Sequence, residues 1–331
     1  MGKVTGAITA TGAAHITATG GTLEIASAIS NSGSLALTVG SGASDKLLLD
    51  AGSAATSLSF SGSTGTLELN TSGTLTLTNA LAIGANTVKL DGSSSQLTDN
   101  AGISLSTGTI TGVGKVTGAI TATGAAAITA SGGTLEIASS IANSGSLALT
   151  VGSGASDKLL LDAGSAATSL SFSGSTGTLE LNTSGTLTLA NALTVGTNTV
   201  KLDGSSSQLT DNAGISLSTG TITGLGKVTG AITATGAASI TASGGTLEIA
   251  SAITDTGSAL TLTITGAGDK LLLDAASAAH TVTFSSSGTL ELNTAGTLTV
   301  GTQMAIGSGT LKLDGSASIL TDASGITIGT G

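Results

Sequence analysis

The chain lacks several residue types that most folded proteins use. Its 331 residues include no cysteine, proline, tryptophan, tyrosine or arginine, and only three phenylalanines. Without cysteine, neither a disulfide framework nor a thiolate metal site can form. The net charge is −10, and there is no basic cluster and no stacking aromatic surface, so we expect no nucleic-acid partner. Apolar runs stay well short of the roughly 18 residues that a membrane-spanning helix needs.

The residues that are present indicate a regular fold that is buried on one side. Charged residues make up only 8% of the chain, which is few for an ordinary globular surface. The chain is nevertheless too apolar to stay disordered. A fold that buries every second residue, with many of the 51 glycines at its corners, satisfies both observations.

The chain is built from three copies of one sequence unit. The segment GKVTGAITATG occurs without change at 2–12, 114–124 and 226–236, so each copy is about 112 residues long (114 − 2). The copies cover 3–114, 115–226 and 227–331. Copies one and two are almost identical, whereas copy three differs at more positions. A repeat of this kind predicts a stacked array within one continuous body, 1–331.

Within each copy, short apolar segments alternate with period two and are separated by Gly, Ser, Asn or Asp. Segments such as 47–49, 67–69 and 75–77 predict strands with one buried face. Helical periodicity is missing. We count about 14 segments per copy, which at three strands per turn gives about five turns of ~22 residues each. This predicts an all-β parallel β-solenoid. A chain of separate sandwich domains is the alternative, but no linker separates the copies.

Three kinds of residue recur at fixed places in each copy. The phenylalanines Phe60, Phe172 and Phe284 are expected to fill a wider part of the core. Outward charges recur as a sparse solvated face that keeps sheets from pairing sideways. They include Glu24, Glu136 and Glu248; Glu68, Glu180 and Glu291; and Lys89, Lys201 and Lys312. Between two inward leucines lies an outward one, and an exposed leucine often marks a lateral contact. The candidates for a lateral contact are Leu48, Leu160 and Leu272.

The sequence pattern of the strands resembles that of a known class of surface proteins. The segments GTLELN at 65–70 and GTLTLT at 73–78 are similar to the Gly-Thr-Leu-x-Leu pattern of filamentous-haemagglutinin-type and autotransporter-passenger adhesins. Similar sequence patterns occur in some viral tail fibres and bacterial surface-layer proteins. The resemblance implies a parallel β-solenoid, an extracellular or cell-surface location, and a role as a filament subunit or adhesin stalk, with possible cell-surface or glycan contacts.

No set of residues predicts catalysis. The carboxylates are dispersed, and the two histidines, His15 and His280, have no histidine counterpart in the other copies. We therefore expect no enzyme and no catalytic cofactor. Calcium is a weaker possibility, because four aspartates recur at corners where carbonyl groups are also free. These are Asp45, Asp50, Asp91 and Asp99. An aspartate at a corner can instead bond its own backbone.

A ligand-binding surface, for ice or a glycan, is the alternative function. Segments of the form Thr-x-Thr recur, and a flat threonine ladder would present an ordered hydroxyl surface. Such a ladder needs threonine pairs one full turn apart, and Thr9 and Thr17 are too close together for that.

Neither end of the sequence carries the polar capping repeat that closes a natural array. Copy one begins directly with Gly2-Lys3-Val4, and copy three stops within its repeat. We expect the chain to form a rod on the order of 70 Å long, from the ~4.8 Å spacing of paired strands. We also expect it to assemble head to tail with itself, since open strand edges pair with other edges.

Overall fold

A computed structural model describes residues 1–329 and confirms an all-β parallel β-solenoid of about 16 turns. No helix occurs among the described residues. The chain divides into two compact units, an N-terminal unit, Met1–Leu170, and a C-terminal unit from Ser171 onward. Strand β22 (Ser169–Phe172) contains the boundary. The prediction that 1–331 forms one continuous body stays a prediction.

The N-terminal unit has three stacks of parallel strands, because each turn contributes one strand to each stack. The first stack contains β1 (Gly2–Val4), β4 (Thr22–Ile25), β7 (Lys46–Leu49), β10 (Thr66–Leu69), the first parts of β13 (Thr87–Asp99), β15 (Thr109–Thr117) and β17 (Ala127–Ile137), and β19 (Ala148–Val151). The second stack contains β2 (Ile8–Ala10), β5 (Ile29–Asn31), β8 (Gly52–Ala55), β11 (Thr74–Leu77), the second parts of β13, β15 and β17, and β20 (Lys158–Leu161).

The third stack of this unit completes each turn. It consists of β3 (Ala13–Ala18), β6 (Ser34–Val39), β9 (Ser57–Phe60), β12 (Leu81–Gly84), β14 (Ile103–Leu105), β16 (Ile120–Ala122), β18 (Ile141–Asn143) and β21 (Gly164–Ala167).

The C-terminal unit repeats this three-stack arrangement. Its first stack contains β23 (Thr178–Leu181), the first parts of β26 (Thr199–Asp211), β28 (Thr221–Thr229) and β30 (Ser239–Ile249), β32 (Thr261–Ile264), β35 (Thr281–Phe284), β38 (Met304–Ala305) and β41 (Ile326–Thr327). Its second stack contains β24 (Thr186–Leu189), the second parts of β26, β28 and β30, β33 (Lys270–Leu273), β36 (Thr289–Leu292) and β39 (Thr310–Leu313). Its third stack contains β25 (Leu193–Gly196), β27 (Ile215–Leu217), β29 (Ile232–Ala234), β31 (Ile253–Asp255), β34 (Ala276–Ala279), β37 (Thr297–Val300) and β40 (Ile319–Asp322).

The core of each unit is made by inward residues that stack turn over turn. In the N-terminal unit one such row is fully buried and consists of Leu47, Leu67, Val88, Ile110, Ile128 and Leu149. Apolar side chains in register remove one another from water at every turn, which is the main source of stability in such an array. Turn length varies, because Thr109 pairs with Ala127 whereas Thr22 pairs with Lys46, and the second of these turns is the longer.

The phenylalanines lie at the margin of the core, since Phe60 is in register with the buried Val39 and Phe284 with the buried Ile264. Phe60, Phe172 and Phe284 are each half-buried at the end of a strand. The Phe284 ring lies over a corner of the next turn, where a Cβ on Gly309 would come within 2.4 Å of it. The ring therefore packs against a glycine corner at the margin of the core.

One copy of the sequence is longer than a whole number of turns. In the N-terminal unit Lys3 lies on the first stack, whereas its counterpart Lys115 pairs with Gln96 on the second. In the C-terminal unit Lys201 lies on the first stack and its counterpart Lys312 on the second. Within each unit, equivalent residues of successive copies are thus separated by five turns and one further strand, so they lie on neighbouring stacks.

Candidate functional site

Four charged side chains and one leucine form a row on the outside of the first stack of the N-terminal unit. We call this row the charged ladder; its members are Lys3, Glu24, Leu48, Glu68 and Lys89, in successive turns. Parallel strands lie about 4.8 Å apart, so consecutive side chains of the ladder are direct neighbours.

Ion pairs connect the ladder across its turns. Lys3 Nζ lies 2.5 Å from Glu24 Oε1, and Lys46 Nζ, on the neighbouring column, lies 2.5 Å from Glu68 Oε2. Lys89 Nζ contacts Glu68 Oε1 at 3.4 Å. Glu24 and Glu68 are only 6% and 7% exposed although they point outward. The lysines and Leu48 therefore cover the glutamates, and the ladder neutralises its own charge.

The same pairs recur where the later copies form their ladders. In the C-terminal unit Lys227 contacts Glu248 at 2.5 Å, while Lys270 and Lys312 contact Glu291 at 2.7 and 3.0 Å. The hydrogen bond from Lys270, with a second from Lys312, lowers the pKa of Glu291 below its usual value. The hydrogen bond to Glu248 raises the pKa of Lys227. Both shifts favour the charged forms.

The three leucines proposed for lateral contact are half-buried on the outer surface. Leu48 lies between Glu24 and Glu68, and Leu272 lies between Glu248 and Glu291. Leu160 pairs with Glu136 on the second stack of the N-terminal unit, whereas Leu48 lies on its first stack. These two leucines therefore do not form one row, and lateral contact stays a prediction for each position separately.

Two of the aspartates predicted for calcium bond backbone N–H groups at corners. Asp45 is buried, and its carboxylate accepts hydrogen bonds from the Gly42 and Gly21 N–H groups, both at 2.9 Å. These bonds, with Gly42 first, lower its pKa. Asp99 is fully buried and accepts from Ala101 at 3.0 Å. Burial raises the pKa of Asp99 despite the backbone donors.

The other two calcium candidates bond side chains. Asp50 accepts a hydrogen bond from Asn70 Nδ2 at 2.9 Å, and Asp91 pairs with Lys89 at 3.1 Å. Within 1–329, no group of three or more His, Asp or Glu side chains is placed to hold a metal ion. The structure thus distributes the four candidates over separate corners instead of bringing them together.

Two equivalent grooves lie on the third stacks. The first has a volume of about 310 Å³ and is lined by residues around Leu81, Ile103 and Thr121; the second, of about 260 Å³, is lined by residues around Ile215 and Thr233. Both are lined by apolar residues and small hydroxyl residues, and neither contains a titratable group. Their lining residues therefore supply no acid, base or charged group.

The C-terminal unit carries an ordered set of hydroxyl groups that sequence reasoning missed. We call it the hydroxyl array; its pairs are Thr221 and Thr223, Ser239 and Thr241, Thr261 and Thr263, and Thr281 and Thr283. They occupy four successive turns of the first stack, in register. The signal was present as Thr-x-Thr, but varying turn lengths concealed which segments are neighbours.

Comparison with protein-family models, with curated proteins and with solved structures finds no significant match. Among the described residues there is no helix long and apolar enough to cross a membrane.

Proposed function

We propose that this chain is an extracellular, non-enzymatic structural repeat protein, a filament subunit or adhesin stalk that assembles head to tail. The observation that carries the proposal is the regular parallel stacking of turns built from repeated sequence units. The β-solenoid fold is compatible with this role. The extracellular location and the adhesin-like role rest on the Gly-Thr-Leu-x-Leu pattern in which the sequence resembles surface adhesins.

The last described turn exposes residues that belong to the core elsewhere. Leu313 is 46% exposed, whereas its counterpart Leu90 is fully buried. Ile326 is 41% exposed and its counterpart Ile103 only 1%. A further turn of the same fold would cover both, because in every earlier copy the next turn does so.

The first turn is open in the same way. Val4 is 36% exposed, while its counterparts Val116 and Val228 are fully buried. Strand β1 pairs with β4 on one side. Unpaired backbone groups on the other side are a template for another strand edge. A second copy of this chain offers the matching parallel edge and the matching core residues. Contact between unlike ends is heterologous and propagates as a filament.

Electron microscopy and sedimentation over a concentration series test the proposal. We expect filaments whose length increases with concentration, and their loss when a charged, proline-containing cap follows Gly331. The matched control is Thr98→Lys, which adds charge to the side of a stack and leaves both ends unchanged. A chain that stays monomeric at high concentration, or filaments that persist with the end blocked, would contradict head-to-tail assembly.

A second candidate function is ice binding, and the hydroxyl array is the observation that favours it. Its threonines carry no charge and lie in register, about 4.8 Å apart between turns and about 6.6 Å apart along a strand. A rigid, uncharged array of methyl and hydroxyl groups suits an ordered water surface better than a hydrated glycan. Thermal hysteresis that is present in the native chain, lost in Thr241→Lys and retained in Thr98→Lys would support this function. No hysteresis in the native chain would exclude it.

A further inference from the structure

Copy three departs from the other copies at one corner of the third stack in the C-terminal unit. Asp255 stands where copies one and two have Asn31 and Asn143, and His280 stands where they have Thr56 and Thr168. Ala259 is an additional residue between β31 and β32, directly after Ser258, which corresponds to Ser34 and Ser146. The three changes therefore fall at one place in the fold.

The first two positions face each other across adjacent turns. In copy one Asn31 Nδ2 donates a hydrogen bond to Thr56 Oγ1 at 3.1 Å, and copy two has the same bond at 3.1 Å. Copy three replaces this amide and hydroxyl by a carboxylate and an imidazole. The neutral hydrogen bond is thereby replaced by two ionisable groups, which lie on the same pair of adjacent turns.

The changed residues line a pocket of about 170 Å³, which we call the copy-three pocket. Its lining includes Asp255, Ser258, Ala278, His280, Thr299 and Gly301. Ser258 has a φ of 51° and is the sole non-glycine residue with positive φ in 1–329. Residues held in this region are under strain, and such strain is concentrated at functional sites.

Two features leave the side chains of Asp255 and His280 available to a ligand in the pocket. Asp255 is oriented by its own loop, since its carboxylate oxygens accept hydrogen bonds from Ala259 at 3.3 Å and Leu260 at 3.2 Å. These bonds are long, and each oxygen keeps a lone pair for a further partner. Gly301 replaces the Thr78 of copy one, and a Cβ there would lie 3.1 Å from His280 Nδ1. The glycine therefore leaves the imidazole edge uncrowded.

We propose that the copy-three pocket binds a divalent transition-metal ion such as Zn²⁺ through His280 and Asp255. Imidazole nitrogen and carboxylate oxygen are both ligands that such ions prefer. Water completes the coordination. Two protein ligands make this a site of modest affinity. Ca²⁺, which requires several oxygen ligands, is a poor competitor.

The other histidine provides the contrast. His15 lies on β3 and pairs with Ala36 in the next turn, so no carboxylate stands opposite it. A metal site therefore requires the combination that copy three alone carries. The proposal is independent of filament assembly, because the pocket lies on a corner and contains neither terminal turn.

Isothermal titration with ZnCl₂ tests the site in the full chain. We expect about one equivalent of Zn²⁺ to bind, with affinity reduced at least tenfold in His280→Thr and in Asp255→Asn. Both variants restore the residues of copy one, so they preserve the fold, which circular dichroism checks. His15→Ala, which restores the residue of copy two, is the matched control and should leave binding unchanged.

Further measurements separate this site from nonspecific binding. Co²⁺ should give a d–d absorption band in the native chain that disappears in His280→Thr. Absence of Zn²⁺ binding to the native chain, equal affinity in His280→Thr, or displacement of Zn²⁺ by equimolar Ca²⁺ would each overturn the proposal.

Discussion

A single glycine shows how closely the turns approach at the corners. Gly112 lies inside β15, at the corner between the first and second stacks, with a φ of 115°. A Cβ at this position would lie 1.8 Å from the Leu90 carbonyl oxygen of the preceding turn. Both the backbone conformation and the space therefore require glycine here.

Gly112→Ala should destabilise the chain by clearly more than about 1 kcal/mol, because alanine is strained at positive φ and meets the Leu90 carbonyl. Urea denaturation followed by circular dichroism measures the change. Gly12→Ala is the matched control, since a Cβ there has no neighbour within 4 Å. Equal midpoints for the two variants would show that the corner accommodates a side chain.

Two buried aspartates should respond to acid with opposite signs. The pKa of Asp45 is lowered by backbone N–H donors, so its contribution to stability is present above about pH 3.9 and is lost as the pH falls through its lowered pKa. The pKa of Asp99 is raised by burial, so the folded chain takes up this proton first and gains stability from it on acidification.

The cost of Asp45→Asn, measured by urea denaturation, should therefore shrink as the pH is lowered from 7 to below 4. The cost of Asp99→Asn should grow over the same interval. The two variants serve as controls for each other, because a general effect of acid would change both costs in the same direction.

At the scale of the element, the outer face of a strand is more than a solvated surface. The charged ladder buries two glutamates under lysine side chains and a leucine, although all of them lie outside the core. Exposed ion pairs of this kind contribute little individually, because water screens the partly exposed lysines. We therefore expect the partial burial of Leu48 to stabilise the ladder at least as much as any single ion pair does.

Leu48→Ser should lower the free energy of unfolding by about 1 kcal/mol, since a half-buried leucine loses part of its transfer energy. If Leu48 also makes a lateral contact, bundling seen by electron microscopy should decrease. Leu160→Ser is the matched variant on another stack. Each variant should remove only the lateral contact made by its own stack. Unchanged stability and unchanged bundling in both variants would reject the lateral contact.

At the scale of the whole molecule, the prediction of one continuous rod is open to a direct measurement. Circular dichroism should show β-structure and almost no helix. Small-angle scattering should give a rod on the order of 70 Å long, from the ~4.8 Å rise per turn. A compact sphere, or three beads on flexible linkers, would contradict the continuous body.

The sequence by itself determined the strands, their inward faces and the parallel stacking. Segments such as 47–49 alternate with period two, and this pattern assigns each side chain to one face without reference to distant residues. The repeat then predicts that the copies stack. Local patterning and near-identical copies are therefore enough to predict a β-solenoid.

Only the tertiary structure decided which residues face each other from turn to turn. Corners of different length make the turns unequal, so neighbours such as Asp255 and His280, or the pairs of the hydroxyl array, are not visible as a fixed spacing. The same variation places Leu48 and Leu160 on different stacks. The physical reason is that strand alternation depends on the strand alone. The geometry of a corner also depends on how the neighbouring turn packs against it, as Gly112 does against Leu90.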